Sequence, residues 1–214
     1  MRKLILLLGA ALLVSGPALA SDKHTYKVTV TNITQGQTFT PILAAAHRTR
    51  ISLFELGHAA SDELATLAEG GDVGPLRAVL DDARGLVGDT VATEGLLGPG
   101  ESVSFKIKGS RRFKVLSLAA MLIPTNDSFV AVDTVYLPRR YKSFTVAAYD
   151  AGSEVNDELC ANIPGPFCGG EGYSEGSAEG FVHISNGVHG VGDLDDGMLD
   201  WKNPVALVVI RRID

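Results

Sequence analysis

Positive charge is in deficit in this chain. Across 214 residues, 19 Lys and Arg stand against 25 Asp and Glu, a formal net charge of −6 with the histidines neutral. Two of the bases, Arg2 and Lys3, precede the apolar run from Leu4 to Val14, and Ala18, Leu19 and Ala20 supply a small-residue cleavage site. Residues 1–20 therefore read as a secretory signal peptide and residues 21–214 as the exported domain. The apolar run is shorter than the roughly 20 residues a bilayer-spanning helix needs, and Ser15, Gly16 and Pro17 interrupt it, so no membrane span is expected after cleavage. No cysteine follows the cleavage site, which leaves nothing to carry a lipid. Without Arg2 and Lys3 the remaining chain has 17 bases and a net charge of −8. That balance opposes nucleic acid and anionic membranes, and makes a cation the more natural partner. The expected destination is the periplasm or the extracellular space.

Catalytic signatures are equally scarce. There is no Gly-x-Ser-x-Gly elbow, no HExxH and no phosphate-binding loop, and the neighbouring acids Asp81-Asp82 and Asp195-Asp196 have the setting of solvated charges. No enzyme activity is expected. Cysteine occurs only twice, as Cys160 and Cys168, on either side of Pro164, Gly165 and Pro166. The CxxC spacing that would favour a metal site is missing, and in an oxidising compartment a disulfide is expected instead.

Helix signals are confined to one region. Ser61 can cap a segment Asp62–Glu69 that Gly70-Gly71 ends, and a second short helix is expected from Pro75 to about Ala83. Elsewhere the chain is rich in β-branched and aromatic segments. Tyr26, Val28 and Val30 alternate with polar residues, as do Val103, Phe105 and Ile107, which predicts half-buried strands. Continuous apolar runs at 115–123, 129–136, 144–149, 181–184 and 205–210 predict core strands. Pro164 to Gly180, rich in glycine, reads as a surface loop. One all-β domain follows: an antiparallel β-sandwich with a short helical insertion at about residues 61–83. Trp201 is expected to pack on it, and Asn32 and Asn126 head two sequons expected on surface loops.

The run Ser117 to Phe129, with Pro124-Thr125-Asn126-Asp127-Ser128 at its turn, followed by Tyr149-Asp150-Ala151-Gly152-Ser153-Glu154, resembles the spondin N-terminal domain. The likeness extends upstream through Leu64 to Gly71 and downstream through Glu179 to His183, Gly187 to Gly190 and Trp201 to Ala206, and it is closest to bacterial single-domain members. The resemblance implies a C2-like sandwich with one calcium ion at an end. It makes Asp127, Asp150 and Glu154 the metal ligands individually. Asn156, Asp157 and backbone carbonyls near 127–129 are candidate additional ligands, since calcium takes six to eight oxygens. Two departures stand out: no aromatic follows Asp127, and Glu154 replaces an aspartate. The thrombospondin repeats of the animal members are missing, so matrix adhesion does not transfer with the fold.

These residues lead to an exported calcium-binding module for envelope or extracellular interaction or adhesion, its partner a protein or glycan. The alternative is a copper- or zinc-binding protein using His47, His183 and His189, with His58, Met121 and Met198 as further soft donors. In that reading the turn Asn186-Gly187 folds His183 and His189 together as a hairpin.

Overall fold

The computed structural model describes residues 22–173 and 178–214. The expected signal peptide and part of the 164–180 loop lie outside the described residues. Alternation of buried and exposed side chains makes β1 (Lys23–Asn32) and β5 (Ser102–Ser110) two-faced strands. Between them come β2 (Thr38–Phe39), β3 (Leu43–His47), α1 (Asp62–Gly70), α2 (Gly74–Asp82) and β4 (Val87–Ala92). After β5 follow β6 (Val115–Ile123), β7 (Ser128–Tyr136), β8 (Tyr141–Val146), β9 (Ala148–Asp150), β10 (His183–Ile184), α3 (Asp196–Leu199) and β11 (Ala206–Arg212).

Two antiparallel sheets result. One has the order β5-β1-β11-β8; the other runs β10-β9-β7-β6-β3-β4, with β2 also paired to β6. Tyr26, Val28, Ile107, Val208 and Ile210 of the first sheet meet Ala44, Leu116, Leu118, Leu122 and Val130 of the second in the main core, which also takes in Trp201. The opposite face of the second sheet is buried as well. There Leu43, Ala45, Ala119 and Phe129 pack against Leu64, Leu67 and Ala68 of α1 and Leu76 and Leu80 of α2. This double cover explains why β6 is buried at every position: a strand apolar on both faces needs two apolar neighbours. On the solvent side of the first sheet the β1–β5 pair is joined by hydroxyl bonds, Thr29 to Ser104 at 2.8 Å and Thr31 to Ser102 at 2.7 Å.

The helices sit where the sequence places them. The Ser61 hydroxyl accepts from the Leu64 N–H at 3.3 Å, and Gly71, at φ 68°, closes α1 in the left-handed conformation.

Three expectations need correction. The run 144–149 is not one strand. β8 pairs with β11 in the first sheet, whereas β9 pairs with β7 in the second, so the chain crosses between sheets at Ala147. Asn203 Oδ1 holds that corner by accepting from the Ala148 N–H at 2.7 Å. Only His183 and Ile184 of the 181–184 run are strand, and no hairpin follows them. The sequon asparagines are buried: the Asn32 amide donates to the carbonyls of Gln37 and Leu97, and that of Asn126 to Asp157. Each reads as polar in sequence because its loop is polar, yet each holds that loop from within.

Candidate metal centre

β7, β9 and β10 are neighbours, and their register puts Ser128, Asp150 and His183 side by side at one end of the second sheet. Asp127 precedes β7 at that end, and the turn 151–154 leaves β9 there. Gly152 shapes this turn. It sits at φ 62°, and a Cβ on it would overlap the backbone of Phe181. Only glycine allows segment 180–183 to lie directly on the turn, where the Gly180 N–H donates to the Gly152 carbonyl at 2.8 Å. That contact carries Glu179 and His183 to Asp150.

Four acids are buried around the turn: Glu69, Asp127, Asp150 and Glu154. Asp127 Oδ2 accepts from the N–H groups of Ser153 at 2.8 Å and Glu154 at 3.1 Å, while its Oδ1, equally buried, has no hydrogen-bond partner among the described residues. Asp150 Oδ1 accepts from the Gly152 N–H at 2.8 Å and Oδ2 from the Asn156 amide at 2.9 Å. Loss of water raises the affinity of both for protons. Burial, followed by the charge of Asp150, pushes Asp127 up to about 8; burial also raises Asp150, against the bonds from Asn156 and Gly152 and the nearby His183. Burial raises Glu69 too, opposed by its bond to the Ser153 hydroxyl. These are acids gathered where a cation would relieve them.

One oxygen of Asp150, one of Glu179 and a ring nitrogen of His183 lie within 4.8 Å of one another. His183 Nδ1 is 2.9 Å from the Ile184 carbonyl, which can only accept, so Nδ1 carries a hydrogen and Nε2 is the nitrogen turned toward Asp150. Nε2 lies 3.4 Å from Asp150 Oδ1 and makes no hydrogen bond among the described residues.

Asp127, Asp150 and Glu154 thus share one end of the sandwich, with the backbone of Glu154 tied to Asp127. Asn156 reaches that end through its amide, which bonds Asp150 and, at 3.4 Å, Glu179. The carboxylate of Asp157 is taken up by hydrogen bonds, accepting from Asn126, Leu159 and Asn162. The three histidines of the soft-metal alternative are not brought together. His47 pairs with Val115 at the other end of β6, and both its nitrogens are engaged, with Ser117 at 2.7 Å and the Arg48 carbonyl at 2.8 Å. His189 is exposed beside Glu158, which accepts its N–H and that of Val191.

Sequence reasoning did not single out Glu69 and Glu179 as site residues. Glu69 had a signal: it stands in the last turn of α1, where the helix dipole disfavours an acid and no base is present. Glu179 had none, because its place depends on the contact at Gly152. Cys160 and Cys168 are bonded, with Cα atoms 4.7 Å apart, and close the loop beyond the site.

The Spondin_N family model matches residues 23–156, and the chain belongs to this family. The match takes in Asp127, Asp150 and Glu154 and ends before Glu179 and His183. No curated protein matches the chain. Family and disulfide point to an extracellular or secreted module, and no helix among the described residues is long and apolar enough to cross a membrane.

Proposed function

We propose that this chain is an exported, non-catalytic interaction module whose acidic end binds calcium, with Asp127, Asp150 and Glu154 as ligands. One observation carries the reading: Asp127 is fully buried, and its Oδ1 has no hydrogen-bond partner among the described residues, beside a second buried carboxylate. An isolated carboxylate is costly to bury, and a divalent cation is the partner that two or three of them together accommodate. Oxygen donors from side chains and backbone suit calcium, which tolerates irregular shells, better than magnesium, which keeps its waters. In that role the ion stiffens the turns at 124–127 and 150–154, which present the end of the sandwich to a protein or glycan of the envelope or extracellular space. The net negative charge argues against nucleic acid.

The test is a thermal melt of chelator-treated protein with and without millimolar calcium. An ion that binds only the folded chain adds RT ln(1 + [L]/Kd) to stability, so the melting temperature should rise with calcium. Asp150→Ala should remain folded and lose that rise. Equal melting temperatures in EDTA and in calcium, with no metal found by elemental analysis, would overturn the assignment.

A further inference from the structure

The donors around the 150–154 turn are not all of one kind. Glu69, Asp127, Asp150 and Glu154 are buried, and Glu179 lies at the surface beside Asp150. His183 adds a donor of a different kind. Its Nε2 stands 3.4 Å from Asp150 Oδ1, a pair that a proton or a cation between them would join. A proton would serve that one pair, but Glu179 comes to the same point and gives three donor atoms with a common centre.

We infer that the acidic end carries a second cation position, formed by Asp150, Glu179 and His183, which takes a borderline-soft divalent metal of the zinc class. It rests on the reading of this end as a cation centre, and differs from the calcium position in its ligands and in the ion it selects. A nitrogen donor with two carboxylates is a zinc-type set, whereas calcium takes oxygen alone. One spacing agrees: metal–ligand bonds of about 2.0–2.2 Å in a tetrahedron put neighbouring donors about 3.3–3.6 Å apart, and Nε2 and Oδ1 are 3.4 Å apart, with all three donor atoms within 4.8 Å of one another. The surroundings agree as well. Nδ1–H is held by the Ile184 carbonyl, and both oxygens of Asp150 are oriented by donors from Gly152 and Asn156. Such outer contacts fix the tautomer and direction of a ligand before the metal arrives. Asp127 adjoins this group, its carbonyl accepting from the Ala151 N–H at 3.2 Å, which sets the two positions side by side with Asp150 shared. Glu179 is exposed, so the fourth place of the tetrahedron opens to solvent or to a partner's donor.

The experiment is calorimetric titration of the chelator-treated, signal-free protein with zinc chloride, alone and in saturating calcium, for wild type, His183→Ala and Asp127→Asn. Each variant is first checked for a cooperative melt. Wild type should bind one zinc in the presence of calcium. His183→Ala should weaken zinc by at least about tenfold and keep the calcium-induced rise in melting temperature. Asp127→Asn should lose that rise and keep zinc. Zinc binding unchanged in His183→Ala, or zinc lost whenever calcium is present, would overturn the second position while leaving the calcium reading intact. If calcium has no effect and zinc still binds through His183, the calcium reading alone fails.

Discussion

The two ends of the sandwich handle charge in opposite ways. At the β7–β9–β10 end, acids are buried among themselves, and loss of water dominates: Asp127 and Asp150 are pushed up. At the other end, where the 111–114 and 137–140 turns meet the C-terminus, the charges are mostly basic and exposed. Arg139, Arg140, Arg211 and Arg212 line an open groove of about 460 Å³ with Tyr141 and Asp214. Lys114 lies 5.5 Å from the ring centre of Tyr136 and Arg211 6.0 Å from that of Tyr141, so bases here rest on aromatic faces. The one acid in that groove, Asp214, is held below the usual carboxylate range. The same residue type shifts up at one end and down at the other, and burial against paired exposure decides which.

The largest effect expected from this contrast is a pH dependence confined to the acidic end. Folded Asp127 keeps its proton up to about 8, whereas an unfolded aspartate releases it near 3.8. Between those values the folded chain holds more protons than the unfolded one. The contribution of Asp127 to the stability of the metal-free protein is therefore fully present below the lower value and is lost as pH rises toward the upper one, by on the order of a few kcal/mol from this group. Asp127→Asn should remove that loss, so that the variant exceeds wild type in urea midpoint at pH 8 in EDTA and not at pH 4. Calcium should restore wild type and not the variant. Parallel pH profiles for the two chelated proteins would refute the assignment of the shift to Asp127.

A smaller effect separates the ends structurally. Gly152→Ala places a side chain at φ 62° against the backbone of Phe181. It should cost about 1–3 kcal/mol in urea denaturation. The segment bearing Glu179 and His183 should shift in amide NMR spectra while Thr25 and Arg212, at the far end, keep theirs. Shifts spread evenly over both ends would mean that the turn does not hold the acidic end alone.

The acid end was legible in sequence only in part, for reasons visible in individual residues. Asp127 and Asp150 could be placed because each adjoins a strand and the likeness to a known domain names them. His47 shows the limit: periodicity tells which face a residue occupies and not which end of a sheet it reaches, and pairing with Val115 sends it to the wrong end. The crossing at Ala147 was hidden because an apolar run looks alike whether it stays in one sheet or passes to the other. Glu179 joins the site through a backbone contact between the Gly152 turn and segment 180–183, for which a sequence carries no local mark. The β-sandwich itself was readable because turn residues punctuate its strands and its helices are confined to one insertion.

The smallest effect expected lies at the basic end, where charge is screened. Asp214 Oδ1 accepts from Arg212 Nε at 2.8 Å and Oδ2 from the Thr25 N–H at 2.8 Å, with His24 Nδ1 3.7 Å away. The Arg212 bond, then the Thr25 bond, lowers its affinity for protons. A depressed carboxylate contributes stability above its unfolded value and loses it as pH falls through the folded one, the reverse of Asp127. Asp214→Asn should therefore lower the urea midpoint at pH 7, by less than either change at the acidic end, and the difference from wild type should shrink as pH falls below the ordinary aspartate value. High salt should shrink it as well, since an exposed pair is screened within roughly 3 Å at 1 M salt. A deficit that did not shrink with falling pH or was indifferent to salt would show that Asp214 acts through packing rather than charge.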